Sequence, residues 1–381
     1  MKSINHLQNN HLHVISFNVP YPANYGGVID VFYKLKELHK LGVKVHLHCF
    51  EYGREEAPEL LKYCESVHYY LRKQGLIYNL HWLPYIVLTR KSEELVQELI
   101  KDDYPILIEG LHCAYLLSDA RLTNRFKLFR ESNIEHDYYF HLFKSEKKLH
   151  QMIFYLFESM KLKLFEKVVS DAQVMLTVSQ NDTAYFHKSY PNNKVVYLPS
   201  FHANSEVNSP IGKGEYVLYH GNLGVAENFL AAMYILQEIA PKSNKKFIIA
   251  GLNPSTDLIK VANKYKNVEI IANPDEHTMM RLINEAHIHL LLTFQETGLK
   301  LKLLNVLFSG RFCLVNKQML AGTGLDALCE LANTPEEILG KIDFLFEQEF
   351  TASRVAERSE CLQQNYSNEK NAKHLLQLCS F

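Results

Sequence analysis

Residues 288–316, IHLLLTFQETGLKLKLLNVLFSGRFCLVN, contain the structural unit that decides the fold. The apolar run at 288–293 predicts a buried strand, and the amphipathic stretch that opens at Gly298 predicts a helix. A second apolar run at 312–316 predicts the next strand. Buried strands that alternate with amphipathic helices are typical of a parallel sheet covered on both faces.

The same alternation occurs in two series along the chain. The first series predicts strands at 12–18, 43–50, 67–71, 105–110, 126–130, 174–179 and 194–200. The second series predicts strands at 216–221, 246–251, 268–272, 288–293 and 312–316. We therefore expect an α/β protein of two Rossmann-like, doubly wound domains that face each other across a cleft, with ligands beyond the carboxyl ends of the strands.

A segment without periodicity, SFHANSEVNSPIGKG at 200–214, separates the two series. Its Ser, Asn, Gly and Pro content is typical of an exposed linker. The sequence predicts an N-terminal domain at 1–203, a linker at 204–214, a C-terminal domain at 215–355 and a helical tail at 356–381.

Composition excludes several classes of protein. With 381 residues, 47% of them hydrophobic and 22% charged, the chain can form two cores and is too apolar for intrinsic disorder. A net charge of −1 supplies no general field for nucleic acid, so we expect no nucleic-acid partner. Seven cysteines without a C-x-x-C pair, no secretory signal and no apolar run of spanning length predict a cytoplasmic protein.

Glycines occupy the first strand-to-helix loop of each series. Gly26 and Gly27 lie in NVPYPANYGGVID, and Gly221 and Gly224 lie in HGNLGVAEN. Without a Cβ, the backbone N–H can approach a phosphate or sugar, and the helix N-terminus adds partial positive charge. The alternative is that these glycines only make tight turns, but their repetition in both series favours the binding interpretation.

Lys300 and Lys302 fall in or near the first turn of the helix that opens at Gly298. Cations at this position oppose the helix dipole, so their placement favours a bound anion such as a diphosphate. The alternative is two solvated lysines on an amphipathic helix.

Polar residues also follow two strands of the first series. Glu109 and His112 lie just beyond the strand at 105–110, where an imidazole could act on a sugar hydroxyl or stabilise developing charge. The loop at 130–140 concentrates polar residues, namely Arg130, Glu131, Asn133, Glu135, His136 and Asp137. Residue spacing alone does not decide whether this loop forms a functional site or a hydrogen-bonded hinge. It also leaves a purely structural role open for His112.

Several catalytic motifs are missing from the sequence, namely G-x-x-x-x-G-K-[ST], H-E-x-x-H, G-x-S-x-G and D-x-D. Their absence disfavours P-loop, zinc-protease, α/β-hydrolase and metal-dependent sugar-transfer chemistry, and we expect no metal. The pairs His46 with His48 and His287 with His289 favour buried, hydrogen-bonded imidazoles over metal ligands.

Four stretches together resemble the corresponding parts of GT-B glycosyltransferases. They are PYPANYGG (20–27), RESNIEHDYY (130–139), YHGNLGVAEN (219–228) and GLKLKLLNVLFSGR (298–311), and they occur in the family's order over nearly the whole chain. The resemblance is to the retaining group-one, glycosyltransferase family 4-like enzymes, which include bacterial mannosyl- and glucosyltransferases.

This resemblance implies a hexosyltransferase, mannosyl transfer included, of bacterial polysaccharide biosynthesis. The C-terminal domain would hold a nucleotide-diphosphate sugar, and the N-terminal domain would hold a glycan or lipid-linked acceptor. Transfer would be metal-independent and retaining, with no cofactor besides the donor substrate. The last helix would cross back to the N-terminal domain.

The resemblance also implies roles for individual residues. The donor nucleotide and diphosphate would contact Gly26, Gly27, Gly221, Asn222, Gly224, Gly298, Lys300, Lys302 and Asn305. The donor sugar would contact Glu296 and Thr297, and the catalytic pair would be His112 and Glu109. The acceptor side would comprise Arg130, Asn133, Glu135 and His136.

Three positions depart from the family pattern. Asn222 stands where an Arg is usual, Glu227 replaces a Lys, and Asn305 replaces the second acidic residue. Two missing cations weaken the usual diphosphate clamp. The departures keep open a non-catalytic, two-lobed binding or scaffold protein, and less strongly a nucleotide-sugar epimerase or a dehydrogenase.

Two further stretches bear on location. Residues 75–88, GLIYNLHWLPYIVL, are apolar and contain the only tryptophan, Trp82, but Pro84 and a length of 14 exclude a spanning helix. Residues 144–167 carry six lysines and three glutamates on an amphipathic pattern. These stretches predict either reversible contact with the inner face of the cytoplasmic membrane or ordinary core helices.

Overall fold

The computed structural model describes residues 10–146, 148–294 and 300–379. These residues divide into two compact units, each with its own parallel sheet. Unit 1 comprises residues 10–203 and 366–379, and unit 2 comprises residues 204–294 and 300–365.

Unit 1 contains seven parallel strands in the order β3-β2-β1-β4-β5-β6-β7. The strands are β1 (His11–Ser16), β2 (Lys44–Glu51), β3 (Ser66–Leu71), β4 (Ile106–Glu109), β5 (Lys127–Glu131), β6 (Val174–Thr177) and β7 (Lys194–Tyr197). The α-helices that precede β7 are α1 (Gly26–Lys40), α2 (Tyr85–Leu88), α3 (Glu93–Leu99), α4 (Glu135–Ser145), α5 (Leu149–Phe165) and α6 (Gln180–Ser189). Strand order reverses between β1 and β4, which is where doubly wound sheets bind ligands.

Unit 2 repeats this plan with the order β10-β9-β8-β11-β12-β13. The strands are β8 (Val217–Asn222), β9 (Phe247–Leu252), β10 (Val268–Ala272), β11 (Ile288–Leu291), β12 (Phe312–Val315) and β13 (Glu330–Leu331). The helices are α7 (Ala226–Tyr234), α8 (Thr256–Ala262), α9 (Glu276–Glu285), α10 (Leu301–Ser309), α11 (Lys317–Leu320), α12 (Pro335–Phe346) and α13 (Ala352–Asn365). The predicted pair of doubly wound sheets is therefore confirmed. The sequence did not reveal β13, because two partly exposed residues leave no apolar run.

The last helix, α14 (Asn368–Leu378), belongs to unit 1. Its buried side chains, Ala372, Leu375 and Leu378, join the core cluster that also contains Leu12 and Val14 of β1. The helix packs beside α1. The expected return of the last helix to the first domain is confirmed.

Four buried charges cross-link unit 1. Asp30 of α1 accepts hydrogen bonds from Arg130 Nε at 2.8 Å and from Lys34 Nζ at 3.1 Å. Lys34 Nζ also donates to Glu109 Oε1 at 2.6 Å. The second oxygen of Asp30 accepts from the backbone N of Phe201 at 2.7 Å. Burial opposes ionisation of Asp30, but the charges of Arg130 and Lys34 outweigh it and hold its pKa below the ordinary range.

Imidazoles of β1 and β2 form a second, largely buried network. His48 Nε2 and His13 Nδ1 are 2.9 Å apart, His48 Nδ1 is 2.9 Å from the Tyr70 hydroxyl, and His13 Nε2 is 3.1 Å from Asp102. Burial lowers the pKa of His13 to about 4, although Asp102 raises it. These groups are core imidazoles, and residues 10–146, 148–294 and 300–379 contain no group of three or more His, Cys, Asp or Glu suited to a metal.

Removing Asp30 should destabilise unit 1 strongly, because Arg130 and Lys34 would lose their shared carboxylate. We expect Asp30→Ala to lower the free energy of unfolding by about 3–5 kcal/mol, the usual range for breaking a buried ion pair. Hydrogen exchange of unit 1 amides would measure the loss. Glu369→Ala, which removes an exposed partner of Lys373, should leave exchange nearly unchanged. Equal protection in both variants would contradict a supporting role for the cluster.

Candidate functional site

The loop after β8 is shaped by glycine. A Cβ on Gly251 of β9 would lie 1.7 Å from the carbonyl oxygen of Gly221, so the two strands approach closely only because this side chain is absent. After Gly221, Asn222 Oδ1 accepts a hydrogen bond from Gly224 N at 3.1 Å. The loop then leads into α7 at Ala226. Close backbone approach and a fixed turn leave the carboxyl end of β8 open to a ligand.

Asn228 connects this loop to α10. Its Nδ2 donates to Asn222 O at 3.0 Å, and its Oδ1 accepts from Lys302 Nζ at 2.9 Å. The Tyr219 hydroxyl donates to Asn228 O at 3.2 Å. One amide side chain therefore fixes the positions of the β8 loop and the Lys302 ammonium.

Lys302 is a partly buried cation in the first turn of α10. Its Nζ lies 5.4 Å from the centroid of the Tyr219 ring. The pKa of Lys302 is lowered to about 8, because burial and, more weakly, Lys300 outweigh the opposite effect of Glu227. A cation held here against the helix dipole and in a desolvated position would be stabilised by a bound anion.

The three positions that depart from the family pattern lie in this part of unit 2. Glu227 accepts a hydrogen bond from the Thr293 hydroxyl at the end of β11 and favours the charged form of Lys302. Asn222 caps the β8 loop, and Asn305 is partly exposed on α10, three residues after Lys302. Residues i and i+3 of a helix share a face, so the Asn305 amide is a neighbour of the ammonium. Glu296, Thr297 and Gly298 lie outside the described residues.

In unit 1, the carboxyl ends of β1 and β4 meet around His112. The His112 ring stacks on Phe17, with centroids 4.9 Å apart. A Cβ on Gly27 would lie 2.5 Å from Phe17 Cζ, and one on Gly110, whose φ is +78°, would lie 3.1 Å from His112 Nδ1. Gly27 and Gly110 thus leave the space that the stacked rings occupy, and Gly26 begins α1 beside them.

His112 is held in its neutral form. Burial, then Arg90, then Arg72 lower its pKa well below the ordinary value. Its buried Nδ1 has no hydrogen-bond partner within 10–146, 148–294 and 300–379. A neutral imidazole can both donate and accept a hydrogen bond, which suits a sugar hydroxyl.

Glu109 is the last residue of β4 and Arg130 lies near the end of β5, and both belong to the buried ion cluster. Glu109 is 3% exposed and Arg130 is 1% exposed. Their charges are matched by Lys34 and Asp30. In this structure the two residues serve the framework of unit 1.

The remaining predicted residues lie at the start of α4. Asn133 N donates to Glu131 Oε1 at 3.3 Å, and His136 Nδ1 is 2.9 Å from Glu166 Oε2. Burial raises the pKa of Glu135 to about 7, although Arg90 lowers it. The carboxyl of Glu135 is therefore partly protonated near neutrality.

Arg90 is a residue of this area that the sequence did not point to. Its Nε donates to Phe17 O at 2.8 Å and its Nη1 donates to Ile86 O at 2.9 Å. Its charge lowers the pKa of both His112 and Glu135, so the two residues are influenced by the same cation. It lies in a loop between short helices, where no motif or periodicity marks it.

Comparisons with known proteins bear on the fold. No protein-family model matches the chain. An uncharacterized 44.6 kDa protein in the cps region of Klebsiella pneumoniae is 26% identical over 353 residues, which cover 86% of this chain and 88% of the relative. This is a distant relative of nearly the same length.

Solved glycosyltransferases match over both units. A TarM variant from S. aureus, in complex with α-GlcNAc-glycerol and UDP among its ligands, has a TM-score of 0.67 at 11% identity and covers 97% of this chain and 100% of its own. HepE from Anabaena, in complex with UDP and glucose, has a TM-score of 0.65 at 13% identity, with coverage of 97% and 99%. The UDP-forming α,α-trehalose-phosphate synthase from Burkholderia vietnamiensis has a TM-score of 0.64 at 10% identity, with coverage of 97% and 100%.

The chain has the GT-B glycosyltransferase fold. The family resemblance inferred from the four sequence stretches is confirmed at this level, and so is structural similarity to nucleotide-sugar-dependent transferases. At these identities the matches show the fold alone.

Lys302 should reduce the stability of unit 2. The pKa of a lysine is about 10.5 when unfolded and that of Lys302 is about 8 in the fold, so below pH 8 the unfolded state is favoured by its stronger proton affinity. We expect Lys302→Met to raise the unfolding free energy of unit 2 by about 1–3 kcal/mol at pH 7. The stability advantage of Lys302→Met should shrink between pH 8 and 10.5. Over this range the Lys302 side chain of the wild type, already neutral in the folded state, also becomes neutral in the unfolded state.

Hydrogen exchange of unit 2 amides at several pH values would measure this difference. Lys260→Met is the matched control, since Lys260 is exposed near the end of α8. A stability difference independent of pH would contradict the lowered pKa of Lys302.

Proposed function

We propose that the protein is a metal-independent, retaining glycosyltransferase that moves a hexose from a nucleotide-diphosphate sugar to a glycan or lipid-linked acceptor. Mannose is one candidate hexose. The observation that carries the proposal is Lys302, a desolvated cation that Asn228 holds beside the glycine loop after β8. Two of the structural neighbours are complexes with UDP and a third forms UDP, so UDP is the first nucleotide to test.

The donor diphosphate would lie against the ammonium of Lys302, with Lys300 and the backbone of Gly221 and Gly224 close by. As the bond to the sugar breaks, negative charge grows on the leaving diphosphate, and a preformed cation stabilises that charge. Because the cation has little water to displace, its interaction with the diphosphate is stronger than that of an exposed lysine.

The family departures are compatible with this role. Asn222 and Asn305 carry amides that can donate to phosphate or ribose oxygens. Glu227 favours the charged form of Lys302, so an acid at a usual lysine position supports the remaining cation. By resemblance, we assign Glu296 and Thr297 to the donor sugar and Gly298 to the donor nucleotide and diphosphate.

On the acceptor side we propose His112 as the group that contacts the transferred sugar. Its neutral imidazole lies at the switch point of the unit 1 sheet, stacked on Phe17 beside Gly27. Asn133, Glu135 and His136 would face the acceptor. Glu109 and Arg130 are assigned to holding these loops in place.

The cps region named for the Klebsiella relative supports a place in capsular polysaccharide biosynthesis. A non-catalytic GT-B-like binding protein is the second candidate, favoured by the amides at Asn222 and Asn305.

Titration calorimetry with UDP and other nucleoside diphosphates tests the donor site. The wild type should bind one nucleotide, and Lys302→Ala should raise its dissociation constant by about 5- to 150-fold, which corresponds to loss of a charge-assisted bond of about 1–3 kcal/mol. Lys260→Ala, an exposed control in the same unit, should bind normally. No binding of any nucleoside diphosphate by the wild type would contradict the proposal.

Slow hydrolysis of nucleotide sugars separates catalysis from binding. His112→Ala should lower the hydrolysis rate by ~100-fold with little change in nucleotide affinity, because the imidazole acts at the sugar. His187→Ala is the control, since His187 is exposed on α6. Nucleotide binding without hydrolysis or transfer would favour the scaffold alternative.

A further inference from the structure

Helix α5 presents its apolar side chains to solvent. Seven of its positions are exposed, and five of these are apolar, namely Leu149, Ile153, Phe157, Met160 and Leu164. Their spacing of three or four residues places them on one face of the helix. The buried positions are Glu158, Ser159 and Leu162, so two of the three are polar. A helix that packs only on its own core shows the opposite arrangement.

A neighbouring segment continues this surface. Leu76, Ile77 and Leu80 of a 3-10 turn are 85%, 75% and 89% exposed, and Trp82 is 75% exposed. We call these four residues and the five of α5 the unit 1 apolar face. Exposed apolar residues clustered in this way mark an interaction site, whereas scattered ones need no explanation.

Specific contacts hold the two parts together. Lys161 Nζ donates to Asn79 O at 3.4 Å and to His81 O at 3.2 Å. Glu158 Oε2 accepts from Tyr85 N at 2.7 Å. Between them lies a cavity of ≈ 470 Å³, lined in part by Leu80, Ile153 and Phe157. The apolar face is thus a built surface with an apolar recess.

The charges around the apolar face are mostly positive. Exposed lysines flank or interrupt it at Lys144, Lys148, Lys163 and Lys167. Two of the three glutamates in this stretch are buried and matched, Glu158 by Lys161 and Glu166 by His136 and the Tyr185 hydroxyl. Lys147, the sixth lysine of the stretch, lies outside the described residues. The side chains that meet solvent here are therefore apolar or predominantly basic.

We propose that the unit 1 apolar face is a docking surface for an anionic lipid bilayer. An apolar helix face bordered by lysines binds in the interfacial plane, with the apolar side chains among acyl chains and the ammonium groups at anionic headgroups. Trp82, stacked on His81 at the edge of the face, has the amphipathic ring that such interfaces favour. No helix in the described parts of the chain is long and apolar enough to cross a membrane, so contact would be peripheral.

A second copy of the chain fits this surface less well. A two-fold contact brings the same patch of both copies together, so lysines would face lysines. Anionic headgroups instead offer complementary charge at every lysine. The proposal does not rest on the donor site, since all of its residues lie in unit 1 and Lys302 lies in unit 2.

The only tryptophan makes the test direct. The full-length protein is mixed with vesicles of phosphatidylcholine alone or with added phosphatidylglycerol, at low and high salt. We expect co-sedimentation with the anionic vesicles, weakened by salt, together with a blue shift of Trp82 emission and quenching by brominated acyl chains. Absence of salt-sensitive binding to anionic vesicles would overturn the proposal.

Matched variants test which side chains are responsible. Phe157→Glu should lower vesicle affinity by about tenfold or more, because it removes a large apolar group and adds a repelled charge. Leu61→Glu is the control, since both Leu61 and Phe157 are 60% exposed in unit 1. Nucleotide affinity should stay unchanged in both variants, so failure of this proposal and failure of the donor site remain distinguishable.

The competing occupant gives a different result. Concentration-dependent dimerisation in sedimentation velocity that Phe157→Glu abolishes, without vesicle binding by the wild type, would assign the face to a second copy and overturn the bilayer proposal.

Discussion

Unit 1 depends on the pairing of two buried carboxylates with two buried cations. Asp30 and Lys34 come from α1, while Glu109 and Arg130 come from the ends of β4 and β5. Arg130 also donates to the carbonyl oxygens of the chain that leaves β7, so four elements meet at one charge-balanced point. Burying these ions costs free energy unless each is paired with an opposite charge. The loops that carry the predicted sugar-side residues begin close after two of the four, Glu109 and Arg130. Charge balance in the core therefore determines where those loops start.

The charge of Lys302 in unit 2 is compensated differently. Lys302 is desolvated by the fold, and its ammonium donates a hydrogen bond to the neutral side-chain amide of Asn228. Glu227 favours its charge from nearby, but the lowered pKa shows that burial prevails. In unit 1 four charges compensate one another and stabilise the framework, whereas the charge of Lys302 is only partly compensated by the described residues around it. When a desolvated cation is fully neutralised only by a bound anion, the protein is less stable without that anion and binds the anion more tightly.

The sequence predicted both sheets because buried parallel strands are continuous apolar runs, which local pattern reveals. Roles at the strand ends were harder to predict. Glu109 and Arg130 have the composition of a site, but their partners are 75 and 100 residues away in sequence, at Lys34 and Asp30. Local spacing cannot tell a matched core charge from a charge that awaits a ligand. Arg90 was missed for the converse reason, because a single arginine in an irregular loop carries no pattern, although its guanidinium contacts the Phe17 backbone that supports His112.

Helix α5 illustrates a further limit of periodicity. The pattern of its apolar residues shows that one face differs from the other, but it does not show which face meets the core. The acidic residues near its carboxyl end decide that orientation. Glu158 accepts from Tyr85 N and pairs with Lys161, and Glu166 is bound by His136, Tyr185 and Tyr190 and lies near Lys163. Satisfying these carboxylates turns the apolar side chains outward. Matched charges thus fix the core of unit 1 and also fix which apolar surface it presents, so the exposed apolar face is a consequence of the polar contacts beneath it.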